Sequence, residues 1–327
     1  MSHWQPAATF ETLRLRAQLN ALIRDFFRNR HVLEVETPIL SQAGSTDPNI
    51  ASFTLEFSGR SHGAPRTRWL RTSPEFAMKR LLAAGVGDCY EMGRAFRDGE
   101  VGGRHNPEFT MLEWYRVGWN HHRLIDEMTD LLRAALALVG RNASLRKICY
   151  RELYQHDLNV DPMTASDATL RDALCNVRID PDGLVRDDWL DLLMTHRIQP
   201  RFEAGQLTVV HDYPASQCAL ARVRVDPSGN QPPVAERFEC YLGSLELANG
   251  YHELTDAREQ HDRFARDGET RARRGDRQPP MDQHLLDALD AGLPACAGVA
   301  LGVDRLLMAM TGGPSIDEVL AFPFARA

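Results

Sequence analysis

Apolar positions recur along the chain at two periods, one helical and one extended. Between Phe10 and Arg30, the residues Leu15, Leu19, Leu22, Ile23 and Phe26 keep one face apolar, which predicts an amphipathic helix. His31 to Leu40 reads as extended, with Val32, Leu33, Val35 and Ile39 as its apolar contacts and Pro38 near its end, and Gly44 to Asn49 as a loop. Thr67 to Thr72 predicts a short strand. Pro74 and Glu75 then open a helix to about Ala84, since proline is tolerated in a first helical turn. Cys89–Phe96 and Glu108–Tyr115 read as strands. The stretch between them holds Gly99, Gly102 and Gly103 among charged residues, so a long hairpin with a polar tip is expected. A helix is predicted from His122 to Val139, and mixed short helices and loops from Asn142 to Gln206. Leu207–Val210 and Phe238–Leu247 read as strands, separated by the turn-rich Asp226–Pro233. Leu254–Gly268 reads as a helix, and Gly298–Gly302 as a strand leading into a helix from Asp304. No internal repeat, low-complexity tract or inter-domain linker interrupts this order, so one domain over residues 1–327 is expected.

Composition narrows the class. The chain has 327 residues, 43% hydrophobic and 25% charged, the proportions of a globular protein. No apolar run approaches the roughly 20 residues that a bilayer crossing needs, and no basic-then-apolar leader opens the chain. A cytoplasmic protein with no membrane partner is the expectation. The net charge of −7 is a poor start for wrapping nucleic acid through its phosphates. Six scattered cysteines without a Cys-x-x-Cys pair argue for reduced, mostly buried thiols, against a disulfide frame or a zinc site. Six arginines between Arg263 and Arg277 read first as a solvated helix face, with partner docking as the alternative.

The candidate chemistry lies in arginines and carboxylates at strand ends. Arg97 and Arg104 flank the hairpin loop, with Asp98, Gly99, His105, Asn106 and Phe109 around them, and Arg305 starts a helix after the Gly-rich strand. Glu239 and Glu246 lie seven residues apart on one strand-like segment; Glu75, Glu113, Tyr115, Asn249 and Glu253 complete the polar set. Each residue alone is unremarkable. Together they suit nucleotide activation of a carboxylate. A fixed guanidinium stabilises charge gathering on an α-phosphate, carboxylates hold Mg²⁺ across phosphates, a ring and an arginine can sandwich adenine, and buried acids replace the hydration of a cationic substrate.

The joint pattern resembles class II aminoacyl-tRNA synthetases, and specifically the lysyl-tRNA synthetase catalytic domain. Val32-Leu-Glu-Val-Glu-Thr-Pro38 looks like motif 1. Gly93-Arg-Ala-Phe-Arg-Asp98 and Arg104-His-Asn-Pro-Glu-Phe-Thr-Met-Leu-Glu-Trp-Tyr115 look like motif 2, and Gly298-Val-Ala-Leu-Gly-Val-Asp-Arg305 like motif 3. Glu246-Leu-Ala-Asn-Gly-Tyr-His-Glu253 matches the amino-acid pocket. These motifs, together with the expectation of no N-terminal anticodon-binding OB domain, make the chain look like the elongation factor P–(R)-β-lysine ligase family. That resemblance implies an α+β fold, with an antiparallel sheet flanked by helices, and a homodimer through motif 1. It also implies ATP and Mg²⁺, activation of (R)-β-lysine and, less well, α-lysine as the adenylate, and transfer to a lysine of elongation factor P, with no tRNA.

The resemblance assigns roles residue by residue. Arg97 and Arg305 would be catalytic. Arg97, Asp98, Gly99, Arg104, His105, Asn106, Phe109, Glu246, Leu247, Gly302 and Arg305 would bind ATP, with Phe109 stacking on adenine opposite Arg305. Glu239 and Glu246 would hold the metal. Ser73, Pro74, Glu75, Glu113, Tyr115, Asn249, Tyr251, Glu253 and Ala300 would surround the amino acid. Ser73 stands where lysyl-tRNA synthetases tend to have Ala, and Ala300 where they tend to have Gly; both substitutions are read as reshaping the pocket for a β-amino group. Gly99 replaces an acid that usually follows the motif 2 arginine, and Asp98 an Asn. A short lysyl-tRNA synthetase and a non-catalytic amino-acid-sensing relative are the readings left beside this one.

Overall fold

The computed structural model describes residues 4–175 and 177–327. Helix α1 (Phe10–Arg28) is capped by Thr9, whose hydroxyl accepts from the Thr12 N–H. It buries Leu19, Ile23, Phe26 and Phe27. The extended stretch after it breaks into β1 (Leu33–Glu34) and β2 (Leu40–Ser41). β3 (Thr54–Glu56) and β4 (Thr67–Leu70) follow, then α2 (Glu75–Ala83), β5 (Cys89–Phe96) and β6 (Glu108–Val117).

Next come α3 (His121–Ala137), β7 (Ser144–Cys149), α4 (Tyr150–Leu158), α5 (Asp167–Ala173), α6 (Arg186–Leu193) and β8 (Gln206–Pro214). β9 (Val223–Arg224), β10 (Val234–Leu242) and β11 (Leu245–His252) complete this stretch. The chain closes with α7 (Ala257–Arg274), α8 (Gln283–Asp290), β12 (Cys296–Gly302) and α9 (Val303–Thr311).

These elements form two compact units, residues up to Trp119 with Thr255–Ala327, and Asn120–Leu254. In the first, strands run in the order β1-β5-β6-β12, antiparallel except for the β1–β5 pair, and β2-β4-β3 make a small antiparallel sheet. Phe27 stacks on Tyr90 at 4.4 Å between ring centroids and meets Trp114 edge-on at 5.4 Å, so α1 seals one face of that sheet. The second unit has the order β11-β10-β8-β7, with β7 parallel to β8 and the other pairs antiparallel. Here the stretch least legible in the sequence makes a core of its own, with Tyr150, Tyr154, Trp189, Leu190, Leu193 and Ile198 packed against Val210, Tyr213 and Tyr241.

Three readings of the sequence need correction. Glu239 and Glu246 do not share one strand: Gly243 and Ser244 turn the chain, and the carboxylates lie on the paired strands β10 and β11. The arginine-rich segment is not simply a solvated face. α7 starts at Ala257, where Asp256 caps it, and Arg271 is 5% exposed. Its guanidinium donates to the carbonyls of Thr46, Asp47, Ile50 and Arg277, fixing a loop that has few backbone partners of its own. Of the six free cysteines, only Cys89, Cys240 and Cys296 are buried; Cys149 and Cys218 are intermediate and Cys175 is exposed. Among the described residues, no helix is long and apolar enough to cross a membrane.

Candidate active site

In the first unit, β5 and β6 pair from Cys89↔Tyr115 to Phe96↔Glu108, and the hairpin loop closes on itself. The Arg97 N–H donates to Pro107 O at 2.9 Å, and Gly102 and His105 exchange both backbone hydrogen bonds at 3.1 Å. Gly99 has φ +80°, a conformation an acidic side chain adopts only under strain, which accounts for glycine at this position. The Asp98 N–H is held by Ala51 O at 2.9 Å.

Two arginines converge on this loop. The Arg97 guanidinium carbon lies 5.2 Å from the Phe109 ring centroid, and its Nη1 is 3.6 Å from Glu100 Oε1. Its Nε is buried without a hydrogen-bond partner, the condition of a donor prepared for an anion. The Arg305 Nη2 donates to His105 Nε2 at 2.6 Å and its Nε to Arg104 O at 3.3 Å. Burial of the ring, then the Arg305 guanidinium, hold the His105 imidazole below its ordinary value. Neutral His105 can therefore accept from Arg305 and fix its direction. Asn106 is engaged within the fold: its amide donates to Glu108 O at 2.6 Å and its carbonyl accepts from the Phe324 N–H at 2.9 Å.

A second group lies deeper on β6. The Ser73 and Tyr115 hydroxyls donate to the two oxygens of Glu113 at 2.8 and 2.6 Å. Ser73 also accepts from the Glu75 N–H at 2.9 Å, so it both opens α2 after Pro74 and orients Glu113. Ala300 on β12 sits opposite Glu113, and Gly302 opposite Met111, so the ladder sets the Ala300 methyl beside the Glu113 row. The atoms nearest a Cβ at Gly302 would be Arg305 side-chain carbons, none nearer than 3.6 Å. The neighbouring Cys89 thiol is pushed up to about 12 by burial and then by Asp88, Glu113 and Glu91, which removes it as a nucleophile.

Three supports were not singled out in the sequence. Buried Lys79 donates to Glu75 Oε1 at 2.6 Å; its i, i+4 spacing from Glu75 was the available signal. Asp304 is 1% exposed, accepts from Arg16 and takes the Thr110 N–H at 2.7 Å, so it fixes the start of α9 that carries Arg305. Buried Arg71 pairs with Glu91 at 2.6 Å, and a Cβ at Gly93 would come 2.5 Å from Arg71 Nη2, so glycine is needed there for close approach.

In the second unit, β10 and β11 pair Arg237↔Tyr251, Glu239↔Asn249 and Tyr241↔Glu246. The register slips after Cys240, leaving Leu247 as the extra residue. On one continuous strand a seven-residue separation would set the two glutamates on opposite faces. The hairpin and its bulge put them on the same face. Glu239 accepts from Arg237 and from the Tyr241 hydroxyl; burial and the Glu239 charge push the Tyr241 phenol well above 10 and keep it a donor. Asn249 donates to the Tyr251 hydroxyl at 2.9 Å. Glu253 is buried just past β11, where its backbone bridges to Ala221. This donor set fits a hard cation: the carboxylates are oxygen ligands, and each Glu239 oxygen keeps a further lone pair beyond its present donor.

The family model for tRNA synthetases class II (D, K and N) matches residues 3–326. The chain is 46% identical over 329 residues, 99% of its length and 98% of theirs, to the elongation factor P–(R)-beta-lysine ligases of Salmonella paratyphi B (strain ATCC BAA-1250 / SPB7) and Salmonella schwarzengrund (strain CVM19633).

Proposed function

The chain belongs to the class II tRNA synthetases of the D, K and N type, and we propose that within that family it is an ATP-dependent ligase that activates (R)-β-lysine and transfers it to a lysine of elongation factor P. The observation that carries this reading is the 46% identity, over 99% of the chain, to relatives named for that reaction.

In the first step a carboxylate oxygen of the amino acid attacks the α-phosphorus of ATP and pyrophosphate leaves. Arg97 stabilises the charge that gathers there, a role its unpartnered Nε supports. Phe109 and Arg305 hold the adenine, and neutral His105 keeps Arg305 aimed. Asp98, Gly99, Arg104, Asn106, Leu247 and Gly302 shape the rest of the nucleotide site. Glu239 and Glu246 would hold Mg²⁺, which supplies charge neutralisation of the phosphate oxygens. Ser73, Pro74, Glu75, Glu113, Tyr115, Asn249, Tyr251, Glu253 and Ala300 receive the amino acid, and their carboxylates replace the hydration of its ammonium groups. In the second step the acceptor amine attacks the acyl carbon, AMP leaves and a proton is released. No covalent enzyme intermediate is needed. The proposal includes a homodimer, which the exposed apolar side chains of Leu33, Ile39 and Leu40 favour, and a place in the cytoplasm beside the translation machinery.

The test mixes the protein with ATP, Mg²⁺ and α- or β-lysine and offers elongation factor P or lysine tRNA in separate tubes. A lysyl-sized mass gain on the factor, larger with β-lysine and without tRNA charging, is expected. Charging of tRNA alone would make the chain a minimal synthetase, and no product with no ATP–pyrophosphate exchange would remove the enzymatic reading.

A further inference from the structure

The second unit holds a histidine cluster that none of the proposed roles uses. His121 and His122 stand in the first turn of α3, behind the Asn120 cap, and His211 and Asp212 stand near the end of β8. One donor atom from each of the four lies within 4.8 Å of every other. The ring centroids of His121 and His122 are 4.0 Å apart, and those of His122 and His211 5.2 Å. Asp212 has φ +57°, and Glu236 and Arg237 both face it across a register slip; bulges of this kind re-aim a side chain.

Unpartnered atoms converge at this point. His121 is 1% exposed, and neither of its ring nitrogens has a hydrogen-bond partner. Asp212 Oδ1, 3.3 Å from His121 Nε2, also lacks one, as does His211 Nδ1. His121 and His211 thus lie 3.3 and 3.4 Å from the Asp212 carboxylate without a well-formed hydrogen bond; buried polar atoms left in that state are destabilising, and a shared ligand would engage one nitrogen of each ring together with Asp212 Oδ1. We propose that His121, His122, His211 and Asp212 bind a divalent transition metal ion of the zinc type, clamping the start of α3 to β8.

Three imidazoles and one carboxylate make a four-coordinate borderline donor set that suits zinc and not the oxygen-seeking Mg²⁺ or Ca²⁺. Arg224 pairs with Asp212 Oδ2 and Glu236 Oε1, each at 3.0 Å, which leaves Asp212 Oδ1 for the metal. Glu236 and His252 have donor atoms within 4.8 Å of one His121 nitrogen, the position of a supporting layer that orients a metal-bound imidazole. His211 pairs across strands with Phe238, which alternates with Glu239 along β10, so the clamp lies on the other side of the sheet from the proposed Mg²⁺ carboxylates. Its four ligands come from protein, so the site is closed and structural.

Tag-free, full-length protein is stripped with a chelator, reloaded with Zn²⁺, dialysed and analysed for metal. About one zinc per chain is expected, with a raised Tm, and Co²⁺ in its place should show the visible bands of a tetrahedral site. His122→Gln and His211→Gln should each lower retention about tenfold or more, while His196→Gln, at an exposed residue outside the cluster, should retain the metal. Less than about a tenth of an equivalent on the wild type, or equal retention in all three variants, would overturn the proposal. If the cluster variants do not fold, the wild-type stoichiometry and cobalt spectrum decide it.

Discussion

His105 shows how burial and a charged neighbour set the state of a side chain. With its imidazole held below the ordinary value by burial and by Arg305, it is neutral above about pH 6.5. As the pH falls from there through its lowered folded value, protonation sets a like charge against Arg305. ATP–pyrophosphate exchange should therefore decline on the acid side, and His105→Asn, which accepts without titrating, should flatten that limb. Superimposable pH profiles would count against the role. Ala300 makes the second prediction at this scale. It faces Glu113 across the β6–β12 ladder; in the proposed pocket its methyl would narrow the space beside the amino acid's backbone, and a steric exclusion of this kind is relieved by removing the methyl. Ala300→Gly should raise α-lysine activation relative to β-lysine, and kcat/KM for both substrates is the measurement.

Elements are held by a few buried polar groups. Arg271 belongs to α7 yet satisfies carbonyls of residues 46, 47 and 50. Arg271→Met keeps much of the volume and removes the donors, so it should destabilise by about 1–3 kcal/mol, read from the urea midpoint; an unchanged midpoint would show that water replaces the guanidinium freely. Composition predicted this segment as a charged surface, and most of its arginines fit that picture. Nothing in the local sequence marks Arg271 as different, because the loop carbonyls it satisfies lie more than 200 positions away. The Glu239–Glu246 pair makes the same point. The two carboxylates stood out as metal-ligand candidates by residue type, whereas a turn at Gly243–Ser244 and a slip after Cys240 decided that both share a face.

For the whole molecule, the family, the fold class and the ligase reading rest on likeness along 99% of the chain. The exposed apolar residues in and just after the motif 1 stretch, Leu33 at 54% and Leu40 at 47%, suit a surface covered by a second copy. Leu33→Glu should therefore turn a dimer into a monomer in sedimentation, and a wild type already monomeric at micromolar concentration would dispose of the dimer.

By itself the sequence determined the order and type of most elements, since period and capping are local. It also determined the reaction class, since motif 2, motif 3 and the pocket segment carry their chemistry in consecutive residues. Only the tertiary structure decided which atoms are already satisfied and which remain open. Asn106 is spent on Phe324 and Glu108, Arg97 Nε is not spent, and Asp304 anchors the helix start from which Arg305 projects. The histidine cluster belongs wholly to that level. Its members come from α3 and β8, some ninety positions apart in the chain, and no spacing pattern joins them. Distances between remote segments are set by packing, and packing is where a set of ordinary residues becomes a site.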